Sequence, residues 1–130
     1  MKLWIEEEGT AEMAAAFGSA DLTAAAAIGY VELQAAMARA VREQRIPASR
    51  AEDRLLALET VWARVSEISL ERPLLRHAGH LAEQMRLRAY DAVHLAALRQ
   101  LGEPDEVTFA CWDADLRRAA RALGYLLLPA

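Results

Sequence analysis

Lysine is almost missing from this chain: among its 15 basic residues, Lys2 alone is not arginine. A basic excess is missing too, since the net charge is -4 and the pI about 5.4. That excludes gripping nucleic acid by bulk charge, which needs a basic face. It leaves open an enzyme that meets phosphates through metal ions and a few arginines. Guanidinium groups suit phosphate and carboxylate forks, but arginine bias beside abundant alanine is read here as the mark of a GC-rich genome. Cysteine occurs once, at Cys111. An internal disulfide is thereby excluded, and a reducing cytoplasm suits the chain. Cys111 is expected in a buried strand, as a small core residue in preference to a nucleophile. Aromatic residues make up only 6%, which excludes a core built on large rings. No apolar run is long enough to span a membrane. The start, Met1-Lys2-Leu3-Trp4-Ile5 and then three glutamates, is too short and acidic for a signal peptide.

What is present fits one helix-rich domain over residues 1–130. A chain of this size buries roughly two-thirds of its unfolded surface. Hydrophobic residues reach 55%, much of it alanine, and charged residues 26%.

Along the chain, residues 2–8 read as a helix end closed by Gly9, and Thr10 can cap a short helix to Phe17, stopped by Gly18. Residues 21–25 are a weak strand candidate running into four alanines. A helix over 28–43 carries the stripe Leu33, Met37, Ala40 and Val41. Ser49-Arg50-Ala51-Glu52 has the capping-box pattern and opens a helix with Leu55, Leu58, Trp62 and Val65 on one face. Residues 66–70 are a short strand. The next helix carries Leu74, Leu75, Ala78, Leu81 and Met85. Residues 90–100 form a helix, 102–106 a loop and 107–112 the best strand of the chain. Asp113 starts a helix over 116–123 that Gly124 ends, and 125–128 is a final strand before Pro129. Strands alternating with helices predict a parallel α/β sheet, whose ligands bind at the carboxyl ends of the strands. Asp113 falls at such a point.

Three acids stand at or near expected helix starts among apolar neighbours: Glu32, Asp91 and Asp113. Like charges about 4 Å apart repel by roughly 4 kcal/mol at an effective dielectric near 20. Gathered carboxylates therefore take up a proton or share a cation. Hard divalent cations prefer oxygen ligands and can activate water against a phosphodiester. Taken singly, each acid is better read as a helix cap, favoured by about 0.3–1 kcal/mol.

The segments Tyr30-Val31-Glu32-Leu33, Leu87-Arg88-Ala89-Tyr90-Asp91-Ala92-Val93-His94-Leu95-Ala96 and Phe109-Ala110-Cys111-Trp112-Asp113, the last followed by Leu116-Arg117-Arg118-Ala119-Ala120-Arg121-Ala122-Leu123-Gly124, change that balance. Together the chain resembles the PIN-domain ribonucleases, specifically VapC-type toxins of toxin–antitoxin operons, over essentially its whole length. The resemblance implies a three-layer α/β PIN-like fold with a parallel sheet flanked by helices. It implies that Glu32, Asp91 and Asp113 bind Mg²⁺ or Mn²⁺ and direct hydrolysis of RNA by water. It also implies a homodimer and a cognate antitoxin that occludes the site. The family's first acid ends a first strand, as Asp before Ser or Thr, and this chain begins past that point. A misassigned start or a shortened chain is the preferred explanation, ahead of an inactive relative. The alternative function is a catalytically impaired PIN-like module that binds an antitoxin or itself without cutting RNA. Cys111 stands where many relatives carry Thr or Ser.

Other residues are weighed more plainly. Asp115 reads as a first-turn helix charge in preference to an outer-shell ligand, and His94, on the helical face of Asp91, as a ring tucked against the sheet in preference to an acid or base. His77, His80 and Glu83 read as a solvated face. Arg117 and Arg121 either touch RNA phosphate or pair with local acids. Trp62 is expected in the core and Trp4 at an interface with an antitoxin helix.

Overall fold

A computed structural model describes residues 9–130. The helix end expected over residues 2–8, and Trp4, lie outside the described residues. The chain forms two compact units, one through Glu67 and one over Ile68–Ala130.

In the first unit, α1 (Thr10–Ser19) has Gly9, in a left-handed conformation (φ 86°), as its N-cap in place of Thr10. The alanine run settles as β1 (Ala24–Ala26), which pairs with β2 (Ser66–Ile68). α2 (Ile28–Arg42) buries Gly29, Met37 and Ala40. It packs on α3 (Ala51–Trp62), whose Leu58 is fully buried. The backbone of α2 comes close to its neighbour at Gly29, where an added Cβ would lie 3.3 Å from the Trp62 ring. Tyr30 packs edge-on against Trp62 at 5.6 Å between centroids. The Tyr30 hydroxyl donates to Glu59 Oε1, which holds its proton above the usual phenol range. Trp62 donates its indole N–H to Glu67 at 2.9 Å. It is thus a half-buried clamp with a wet edge, less enclosed than expected. The capping box at Ser49 does not form. Ala48–Arg50 is a single 3₁₀ turn, and α3 starts after it with no side-chain cap. The turn's own Arg50 N–H to Pro47 bond takes the place of the box.

In the second unit, α4 (Arg72–Met85) opens on Pro73 and buries Leu74, Ala78 and Leu81. Leu75, expected on the same stripe, is 46% exposed, because its position points away from the i, i+4 row that meets α5. The left-handed Arg86 ends α4. α5 (Ala89–Leu101) is apolar nearly all round and buries Ala92, Val93, Leu95, Ala96, Ala97 and Leu98. Such a helix must be covered on several sides, and α4 and α6 (Ala114–Ala122) both pack on it. β3 (Thr108–Ala110) pairs in parallel with β4 (Leu126–Leu128), in the register Thr108 to Leu126 through Ala110 to Leu128. With α6 as crossover this is a β–α–β unit. β3 is half as long as the 107–112 segment suggested. Past Ala110 the Cys111 N–H still donates to the Leu128 carbonyl, while the Cys111 carbonyl turns to Arg117. The architecture is α/β, with two two-stranded sheets of short strands, and is consistent with a PIN-like fold.

Candidate active site

Asp91 and Asp113 meet in the second unit around one guanidinium. Arg88 Nε donates to Asp91 Oδ2 at 2.7 Å, and Arg88 Nη2 donates to Asp113 Oδ2 at 2.9 Å. Local structure sets both acids. Arg88, in extended conformation, caps α5 through its backbone, so Asp91 falls three residues on, in the first helical turn and above its neighbour. Asp91 is the one polar residue among the described buried ones, at 8% exposure. Its described side-chain partner is Arg88. It therefore does not cap α5, contrary to the bland expectation for it.

Asp113 does both things expected of it. It follows β3 and forms the N-cap of α6, where Oδ1 accepts the backbone N–H of Asp115 at 3.1 Å and of Leu116 at 3.0 Å. This leaves Oδ2 for Arg88. Asp113 thus sits at the carboxyl end of a parallel strand and at a helix N-terminus, where the fold gathers ligands. The two acids, Asp91 foremost through its hydrogen bond, raise the Arg88 pKa further above its ordinary value.

Cys111 is buried, its thiol facing the Asp113 carbonyl at 3.8 Å. Burial chiefly, with the negative charge of Asp113, pushes its pKa up, so it is a neutral core thiol. Arg117 is occupied by the strand ends. It donates to the carbonyls of Cys111 (2.8 Å), Leu128 (3.2 Å) and Pro129 (2.8 Å). Neither RNA contact nor acid pairing, the two roles weighed for it, describes this bonding. Asp115 pairs with Arg118 on the surface at 3.4 Å. Arg121 is exposed. His80 and Glu83 are exposed as expected, while His77 is half-buried against a groove with Pro73, Leu74, Ala96, Arg99 and Gln100. His94 is half-buried on α5.

Glu32 lies in the first unit, exposed on the second turn of α2. Among the described residues of each unit, no three His, Cys, Asp or Glu side chains stand close enough to hold a metal ion. The pair Asp91 and Asp113 nevertheless suits a hard cation. Two carboxylate oxygens, one on a buried side chain and one on a capping side chain, already converge on a positive group, and oxygen donors of this kind are what Mg²⁺ and Mn²⁺ take.

Sequence reasoning passed over Arg88. Its signal was the three-residue step from Arg88 to Asp91 across a helix start, which places a fork against a carboxylate.

Asp113 past the end of a parallel strand and Asp91 on the neighbouring helix, on an α/β frame with short strands, are consistent with a PIN-like protein. No family model matches the chain. Two curated relatives do, each 35% identical over 130 residues, covering 100% of this chain and 90% of the relative: Ribonuclease VapC45 of Mycobacterium tuberculosis strain CDC 1551 and Ribonuclease VapC49 of Mycobacterium tuberculosis strain H37Rv. The chain belongs to the VapC ribonuclease family.

Proposed function

We propose that this protein is a metal-dependent endoribonuclease toxin, a single PIN-like domain over residues 1–130 that hydrolyses RNA phosphodiester bonds. The relatives carry ribonuclease names and match both units end to end. The observation that carries the chemical reading is the convergence of Asp91 and Asp113 on one cation. In this reading Asp91 and Asp113 hold Mg²⁺ or Mn²⁺, and Glu32 is the third carboxylate by its place in the Tyr30-Val31-Glu32-Leu33 segment. The metal supplies charge neutralisation at the phosphate and a lowered pKa for attacking water. Asp91 contributes a carboxylate fixed by burial on a rigid helix. Asp113 contributes one oxygen turned outward because the other is tied to two backbone N–H groups. Neutral Cys111 stays out of the chemistry.

In this reading the partners are an antitoxin and a second copy of the chain. A cognate antitoxin would cover the site, and a second copy would form the dimer. Exposed Val31 on α2 and Leu56 on α3 offer apolar surface for either. No described helix is long and apolar enough to cross a membrane, and the reading as an RNA-cutting toxin goes with a cytoplasmic setting.

The test is RNA cleavage by the 130-residue chain with Mg²⁺ or Mn²⁺. Cleavage should stop on chelation and in Glu32→Gln and Asp91→Asn. Equal cutting in excess EDTA would overturn the metal reading. Tight antitoxin binding with no cutting in any metal would favour a binding module instead.

A further inference from the structure

We infer that Arg88 is a built-in counter-cation of this site: it holds the place of the divalent ion between Asp91 and Asp113, and the metal must displace it to bind. The inference rests on the reading of those two acids as metal-holding and adds a residue that sets how much metal the site needs.

Of the three partners, two are fixed and one is free to move. The Asp91 side chain is only 11% exposed, on a helix packed from several sides. The Asp113 side chain is anchored through Oδ1 by two backbone N–H groups. The Arg88 side chain, by contrast, is 74% exposed, and its described bonds are those to the two acids. Its long stem can swing into solvent without uncovering any core. The acids stay; the guanidinium is the part that can leave.

The charges point the same way. Two carboxylates and one guanidinium sum to one negative charge, and two carboxylates with a divalent cation sum to zero. Without either cation, the acids repel each other in a partly buried place. Arg88 removes that repulsion while metal is absent and keeps both Oδ2 atoms turned toward one point. The same contact makes it a competitor. A divalent ion must break two charge-assisted hydrogen bonds and accept a positive neighbour still tethered nearby. Both effects weaken metal binding, so removing Arg88 must strengthen it.

Manganese titration of the whole chain, followed by electron paramagnetic resonance of free Mn²⁺ and by calorimetry, tests this directly. Arg88→Ala should bind Mn²⁺ at least about fivefold more tightly than the unaltered chain, the lower end of ordinary site-to-site effects. The Mg²⁺ concentration for half-maximal RNA cleavage should fall in step. Arg88→Lys, which keeps one charge but cannot fork to both acids, should lie between; it also serves if the alanine variant fails to fold. Structural damage alone would weaken metal binding, so tightening is diagnostic. Unchanged or weaker Mn²⁺ binding in both variants, with binding still lost in Asp91→Asn, would overturn the role of Arg88 and leave the acid pair standing as the metal site. Absence of Mn²⁺ binding in every form would overturn both.

Discussion

Asp91 and Asp113, one buried on a helix flank and one capping the next helix, present their Oδ2 atoms to the same guanidinium. They differ in what else they do. Beyond Arg88, Asp91 is held by its burial on α5, whereas Asp113 spends its second oxygen on the start of α6. Substitutions can separate these duties.

Asp113→Asn should keep the cap, since asparagine caps as well as aspartate, and should lose the charge. Asp113→Ala should lose both, at a further cost of about 1 kcal/mol in stability. Urea unfolding and RNA cleavage measured on both variants will show the difference. Activity should fall in each by at least about 100-fold, because even outer partners of a metal cost roughly 10–100-fold when removed.

Arg117 should prove structural. Arg117→Met removes three bonds to the carbonyls at the ends of β3 and β4. Hydrogen bonds to a charged group are worth about 1.5–3 kcal/mol, and the variant should lose about that much overall. Mn²⁺ affinity of the folded fraction should not change. A full-stability variant with lost RNA binding would instead restore Arg117 to the phosphate-contact role.

Cys111 carries a pH prediction. Its folded pKa lies above the ordinary thiol value because of burial. The folded state therefore keeps the proton more tightly than the unfolded chain. This contribution to stability is complete below the ordinary thiol value and declines as pH rises from there toward the folded value. Alkylation by iodoacetamide at pH 8 should be much slower in the native protein than in urea. Equal rates would contradict the buried, neutral thiol.

Leu95, fully buried in α5, gives the packing test. Leu95→Ala should cost about 2–5 kcal/mol, read as a drop in the urea midpoint. Since Leu95 is on the helix that carries Asp91, metal affinity should fall with it even where the chain remains folded.

The helices were legible in the sequence because their apolar spacing is local. The segments 28–43 and 90–100 returned within a residue or two as α2 and α5. Helix starts were less legible. Ser49-Arg50-Ala51-Glu52 reads as a capping box, but the backbone takes a 3₁₀ turn there, a choice between two local hydrogen-bond patterns of similar strength. The strand at 107–112 was too long in prospect. β-branched and aromatic composition gives propensity, and a strand extends only as far as its partner pairs with it.

The sequence by itself determined the helical frame, the family likeness and the candidacy of Asp91 and Asp113, since each depends on residue types at fixed short spacing. Only tertiary structure decided that these two acids share one cation, that Arg88 is that cation, and that Arg117 ties strand ends together. Those facts depend on contacts such as Arg88 to Asp113 and Arg117 to Pro129, between residues brought close by the packing of α5 on α6 and of β3 on β4. Spacing along the chain carries no record of such distances; burial and hydrogen-bond satisfaction set them once the chain has folded.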